Sequence, residues 1–179
     1  VDLDNEAAIE KITNYLIKNK HKHISYINIS EKYNFASERK ASFLKTLKKN
    51  KIRFNKDYYA SVKLEEPEKS FEIIRKMLSR NKKITSIICS TEFSALSAIK
   101  ACNFLDLQIG KDISIITFDG PLVKDLSSPP ITAISFPVQE LGKQAIKILL
   151  KGDSNKKHYS NFQVKSDIIE RGSVHQVGG

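Results

Sequence analysis

The sequence has no tryptophan, one methionine and two cysteines, and its seven glycines never gather into a phosphate-binding loop. Neither G-x-G-x-x-G nor G-x-x-x-x-G-K-[ST] occurs, which excludes nucleotide binding through those motifs. No G-x-S-x-G is present, so there is no nucleophile elbow. Cys89 ends an apolar run and Cys102 falls in a helical pattern. Such positions suit buried thiols rather than a disulfide, and they fit a reducing cytoplasm. The histidines His21, His23, His158 and His175 have no accompanying ligand set, so no metal is expected. No apolar run approaches the ~20 residues that span a bilayer, and no membrane partner is expected.

Arginine is also scarce. Only Arg39, Arg53, Arg75, Arg80 and Arg171 occur among 30 basic residues, against 20 acidic ones, for a net charge of +10. A basic excess is the electrostatic footprint of a nucleic-acid surface. It is equally the mark of a composition rich in lysine, asparagine and isoleucine. The scatter of the lysines along the chain favours the second reading, because bidentate phosphate or base recognition draws on arginine. The 179 residues suffice for one domain, or for one and a piece of another. The opening V-D-L-D-N-E reads as the interior of a longer chain, and an upstream domain or signal is compatible with it.

What is present is alternation of strand and helix. Asp4 is placed to cap a helix with Ala8, Ile12, Leu16 and Ile17 on one face. Residues 23–29 alternate as a strand does, and Ser37 opens a second helix through Phe43, Leu44 and Leu47. Residues 57–64 read as a strand, and Pro67 suits the first turn of a third helix. Residues 84–89 and 113–118 are short apolar runs typical of strands buried on both faces. A helix is expected over 92–104, a loop at 127–130 and a brief strand over 131–134. A helix follows from Pro137 to near Leu150, stopped by Gly152. One or two strands around Phe162, Val164 and Ile168 precede a tail from Val174. The pattern predicts a parallel sheet covered by helices on both faces. Ligands in such sheets bind beyond the carboxyl ends of the strands.

Two residues stand at those ends with suitable chemistry. Arg39 begins a helix after a polar loop, and Asp119 follows a buried strand in T-F-D-G. A guanidinium and a carboxylate together bind vicinal hydroxyls as donor and acceptor. Each alone reads equally as a solvated helix residue or a turn residue.

The segments I-S-I-I-T-F-D-G (113–120), S-P-P-I-T-A-I-S-F-P (128–137) and V-Q-E-L-G-K-Q-A (138–145) resemble the lactose/purine repressor family, in order and spacing. T-S-I-I-C-S-T-E (85–92), S-E-R (37–39) with Phe43, the opening V-D-L-D-N and the closing I-I-E-R-G-S (168–173) extend the likeness over the whole chain. The resemblance implies a type I periplasmic-binding-protein-like α/β/α fold of two subdomains, with a small-molecule effector between them. It implies a sugar or sugar phosphate as effector, operator DNA as partner through an absent amino-terminal helix-turn-helix, a homodimer, and neither enzymatic activity nor a cofactor. Residues 1–23 would be a crossover from a missing first subdomain, and 24–130 the effector-binding second subdomain. Residues 131–152 would cross back, 153–174 would hold the final strands, and 175–179 a tail.

Carried over by position, Arg39 would hold hydroxyls or a carboxylate and Asp119 would accept hydroxyl protons. Thr91 would stand for a ligand-binding asparagine, with Glu92 for the aspartate beside it. Phe35, Leu64 and Phe136 would border the ligand. Thr91 lacks the amide, Lys20 stands for a glycine, Ser97 for a helical glycine and Gly110 for a proline. A sugar-uptake binding protein of the same fold is the alternative, separable by the true amino terminus. An α/β enzyme is disfavoured for want of a nucleophile, metal set or phosphate loop.

Overall fold

In the computed structural model the described residues are 1–63, 66–125, 127–150 and 162–178. A six-stranded sheet forms the centre: β2 (Ile24–Ile29), β3 (Tyr59–Val62), β4 (Ser86–Cys89), β5 (Ser114–Phe118), β6 (Thr132–Ile134) and β8 (Ile168–Ile169). Their order is β3-β2-β4-β5-β6-β8, and every pairing is parallel except the last, between β6 and β8. A separate parallel ladder joins β1 (Asp2–Leu3) to β7 (Gln163–Val164).

Alternate residues along the central strands feed two cores. Ile27, Ile87 and Ile115 face α3 (Pro67–Arg80) and α4 (Glu92–Phe104) through Ile74, Leu78, Ala98 and Cys102. Tyr26, Ile88 and Ile116 face α1 (Asn5–Lys18) and α2 (Asn34–Lys49) through Ile9, Ile12, Leu16, Phe43 and Leu47. Burial of two opposed apolar surfaces is the main force holding the three layers together.

All six residues of β2 are buried, although its sequence alternates. Its polar members are satisfied inside: the Ser25 hydroxyl donates to the Ser86 carbonyl at 3.0 Å, and the Asn28 amide to the Ala36 carbonyl at 2.9 Å. A period-2 pattern marks a strand, but here its polar positions signal internal hydrogen bonds rather than a wet face.

The helix expected from Ser37 begins at Asn34, because the extended Tyr33 turns the chain and no side chain caps it. Ser37 instead donates to the Glu31 carbonyl at 2.8 Å. The strand expected over 57–64 is preceded by a 3-10 turn, Lys56–Tyr58, that takes up its first residues, and Leu64 lies outside the described residues. So do Gly152, His158 and residues 153–161 of the expected final strands. A short helix not expected from the sequence, α5 (Pro121–Asp125), follows β5.

Residues 1–23 include α1, which is built into the core, and β6 pairs with β5 inside the main sheet. From Val138 the chain leaves the body as α6 (Val138–Leu150), which has no buried residue and exposes Ile146, Leu149 and Leu150. The segment expected as a tail from Val174 is docked: Val174 packs on the core, and the His175 amide donates to the Ser114 hydroxyl at 3.0 Å.

Candidate functional site

The parallel register brings the ends of β2, β4, β5 and β6 to one edge, so the segments beginning Ser30, Ser90, Asp119 and Ser135 are neighbours. Arg39 reaches this edge from the first turns of α2 and is 6% exposed. Its Nε donates to Asn5 Oδ1 at 2.8 Å and its Nη1 to the Ser90 carbonyl at 3.1 Å. The guanidinium lies 3.6 Å from the centre of the Phe118 ring and 4.9 Å from that of Phe35, a cation held between two aromatic faces.

No carboxylate among the described residues pairs with Arg39, and burial lowers it to about 10, which still leaves it charged at neutral pH. Nη2 makes no hydrogen bond among the described residues, yet it is not sealed from solvent. A buried cation without a counter-ion is costly. This one is oriented on three sides and keeps part of its fork unused.

Ser90 organises the support. Its hydroxyl accepts from Tyr26 Oη at 2.8 Å and donates to Asn28 Oδ1 at 2.8 Å, while its carbonyl receives Arg39. Burial pushes the Tyr26 phenol well above its ordinary range, so it remains a donor.

Asp119 directly follows Phe118, at the end of the strand whose last ring Arg39 rests against. Its Oδ1 receives Arg171 Nη2 at 2.7 Å, and the side chains are 26% and 13% exposed. Arg171 is anchored by donation to the Ile131 carbonyl at 2.6 Å, and its backbone amide donates to Thr132 Oγ1 at 3.0 Å. Oδ2 of Asp119 has no partner among the described residues. The edge therefore offers one unused donor group, brought by α2, and one unused acceptor, just after β5.

Thr91 reaches the same edge, but its hydroxyl is occupied. As N-cap of α4 it accepts the Ser94 amide at 3.2 Å in a reciprocal cap. Glu92 turns away to the next loop, where its Oε1 receives the Leu122 amide at 2.8 Å and the Val123 amide at 3.3 Å, holding the start of α5. Phe35 stacks on Tyr33 at 5.8 Å and covers Arg39. Phe136 follows β6, is 41% exposed and borders a shallow hollow of about 430 Å³ with Pro137 and Val138. Leu64 lies outside the described residues.

Reasoning from sequence missed Asn5, Ser90 and Arg171 as the partners that fix the two charges. Only Arg171 carried a signal, as one of five arginines, placed just after the last strand. Among the described residues no group of histidines, cysteines and carboxylates is arranged to hold a metal, and no helix is long and apolar enough to cross a membrane. Both cysteines are buried free thiols, and burial pushes Cys102 up to about 12.

The sequence profile of the periplasmic binding protein-like domain matches residues 13–174. The HTH-type transcriptional repressor PurR of Histophilus somni is 33% identical over 163 residues, which are 90% of this chain and 49% of that protein. The chain thus spans about half the length of the curated relatives it matches. A sugar-binding transcriptional regulator of the LacI family from Escherichia coli, solved with phosphate, superposes with a TM-score of 0.86 at 21% identity, over 97% of this chain and 62% of that one. The regulator CelR bound to cellobiose superposes with a TM-score of 0.87 at 16% identity, over 96% of this chain and 53% of that one. With its parallel sheet and a profile match over residues 13–174, the chain belongs to the periplasmic binding protein-like domain family.

Proposed function

We propose that this chain is the effector-binding part of a cytoplasmic transcription repressor. A sugar or sugar phosphate is taken up at the carboxyl edge of the sheet, and the effect is passed to operator DNA by a helix-turn-helix elsewhere in the protein. The observation that carries this reading is a buried Arg39 and an Asp119 at the same edge of the sheet, each fixed by other residues and each keeping one hydrogen-bonding group unused. Such a pair grips a diol or an anionic substituent. Phe35, only partly buried, supplies apolar surface beside the ligand, while the buried Phe118 serves to orient Arg39. Thr91 contributes less than an asparagine would, because its hydroxyl is spent on the cap.

A first subdomain supplies the opposite wall, and the exposed apolar side of α6 packs towards it. Closure of the two changes how paired subunits present their DNA-binding heads, a coupling of ~1–3 kcal/mol in typical cases.

The test uses a protein of the relatives' full length and a thermal-shift panel of sugars, sugar phosphates and purines. A compound that raises the melting temperature and alters operator affinity is expected. In Arg39→Ala and Asp119→Ala that response disappears while operator binding without effector persists. An undiminished response in both variants rejects the site.

A further inference from the structure

The site at the carboxyl edge leaves the chain's basic surplus unused, and part of that surplus is gathered at the other end of the sheet. A hollow of about 830 Å³ opens where β2 and β4 begin, beside the loop of residues 51–56 that leaves α2. Lys22, Lys51, Arg53, Lys56 and Lys83 line it, with no acidic side chain among its lining residues. None of these five makes an ion pair among the described residues. Lys11, Lys40, Lys49, Lys69 and Lys100, by contrast, each meet a carboxylate.

The ends of α1 and α2 do not account for the cluster. Lys18, Lys48 and Lys49 already stand in their last turns, where a cation answers the helix dipole. Like charges around one hollow repel one another, and a bound anion relieves that repulsion.

Two rings complete the lining. Phe54 is 37% exposed and is backed by edge contacts with Phe43 and Tyr59, at 6.4 and 6.5 Å between ring centres. Tyr58 packs against His23 at 6.0 Å. Arg53 is the one group here able to grip a phosphate bidentately. The volume lies within the range of small-molecule sites, about 300–1,000 Å³. The charges surround one hollow rather than run along a face, which suits a compact ion better than a nucleic-acid strand.

We propose that this hollow is a second ligand site, separate from the Arg39 edge, for a compact phosphate-bearing anion. Arg53 and the lysines hold the phosphate, and the Phe54 ring covers the carbon portion. The site does not depend on the reading of the carboxyl edge.

The experiment is calorimetric titration of pyrophosphate into this chain at fixed ionic strength. Saturable one-site binding is expected, weakened at least tenfold in Arg53→Gln/Lys83→Gln and in Lys22→Gln/Lys56→Gln, and unaltered in the distant pair Lys32→Gln/Lys45→Gln. All four lining residues replaced are exposed, so both double variants are expected to keep the parent circular dichroism and melting temperature. Absence of saturation overturns the proposal, as does unchanged affinity in both double variants. An equal loss in the distant pair Lys32→Gln/Lys45→Gln, or tighter binding of a single-stranded oligonucleotide than of pyrophosphate, also overturns it.

Discussion

Arg39 shows how a buried cation is made rigid by its surroundings. Asn5, the Ser90 carbonyl and two rings fix its stem and most of its head. Its replacement by alanine orphans two buried acceptors, so Arg39→Ala is expected to cost about 1–3 kcal/mol of stability besides its effect on ligand; denaturant midpoints measure this. Gly110 is a sharper case. Its φ of +82° lies in the region that L side chains avoid, and a Cβ there would sit 2.3 Å from the Gly172 carbonyl oxygen. Proline, the family's residue at this position, cannot adopt that angle, so the departure noted in the sequence reflects a different local turn. Gly110→Ala is expected to lose about 2–4 kcal/mol. A midpoint within error of the parent would contradict that geometry. The place of Asp119 at the carboxyl edge is legible in the sequence because it follows the apolar run of β5, and that of Arg39 because it follows the polar loop after β2. Asn5 and Ser90 were not, since each contributes by contact between segments far apart in the chain, and nothing local marks it.

Among elements, β4 and β5 were legible because short apolar runs leave strong local signals. α5 was not, being five residues long and held by Glu92 from another helix rather than by its own pattern. The start of α2 was displaced because a backbone turn replaces the side-chain cap that sequence reading relies on. Helix ends carry a further regularity. Lys20, Lys51 and Asp106 have φ of +66°, +57° and +55°, and each follows a helix that closes with paired hydrogen bonds to its last turn. At α1 these run from the Lys20 amide to the Ile17 carbonyl and from the His21 amide to the Leu16 carbonyl, at 2.8 and 3.1 Å. This left-handed position favours glycine. Lys20→Gly and Asp106→Gly are each expected to raise stability by about 0.5–1 kcal/mol, with an unchanged urea m-value. A decrease in either would refute the assignment of strain.

For the molecule as a whole, the docking of the last residues creates a pH dependence. His21 is fully buried: its Nε2 donates to the His175 carbonyl at 3.0 Å, leaving Nδ1 to accept the Thr85 hydroxyl at 2.9 Å. Burial lowers His21 to about 4, and His175 is lowered for the same reason. The unfolded chain takes up protons near pH 6.5 while the folded chain resists. Stability is therefore complete above about pH 6.5 and declines towards pH 4, by up to about 1.4 kcal/mol per unit through His21, with His175 acting in the same direction. Urea midpoints at pH 7, 6 and 5 should fall in that order, and a flat series would exclude the effect. Sequence reading took this segment for a tail because its partners, Ser114 and His21, are more than sixty positions away. The ion pair between Asp119 and Arg171 spans a similar gap. Its acceptor emerges from β5, but its donor arrives only after the final strand has been laid beside β6. The carboxylate at this edge is thus fixed by the segment that follows the final strand. A chain stopped short of Arg171 would retain the central strands β2–β6 and yet meet any ligand with an unanchored carboxylate.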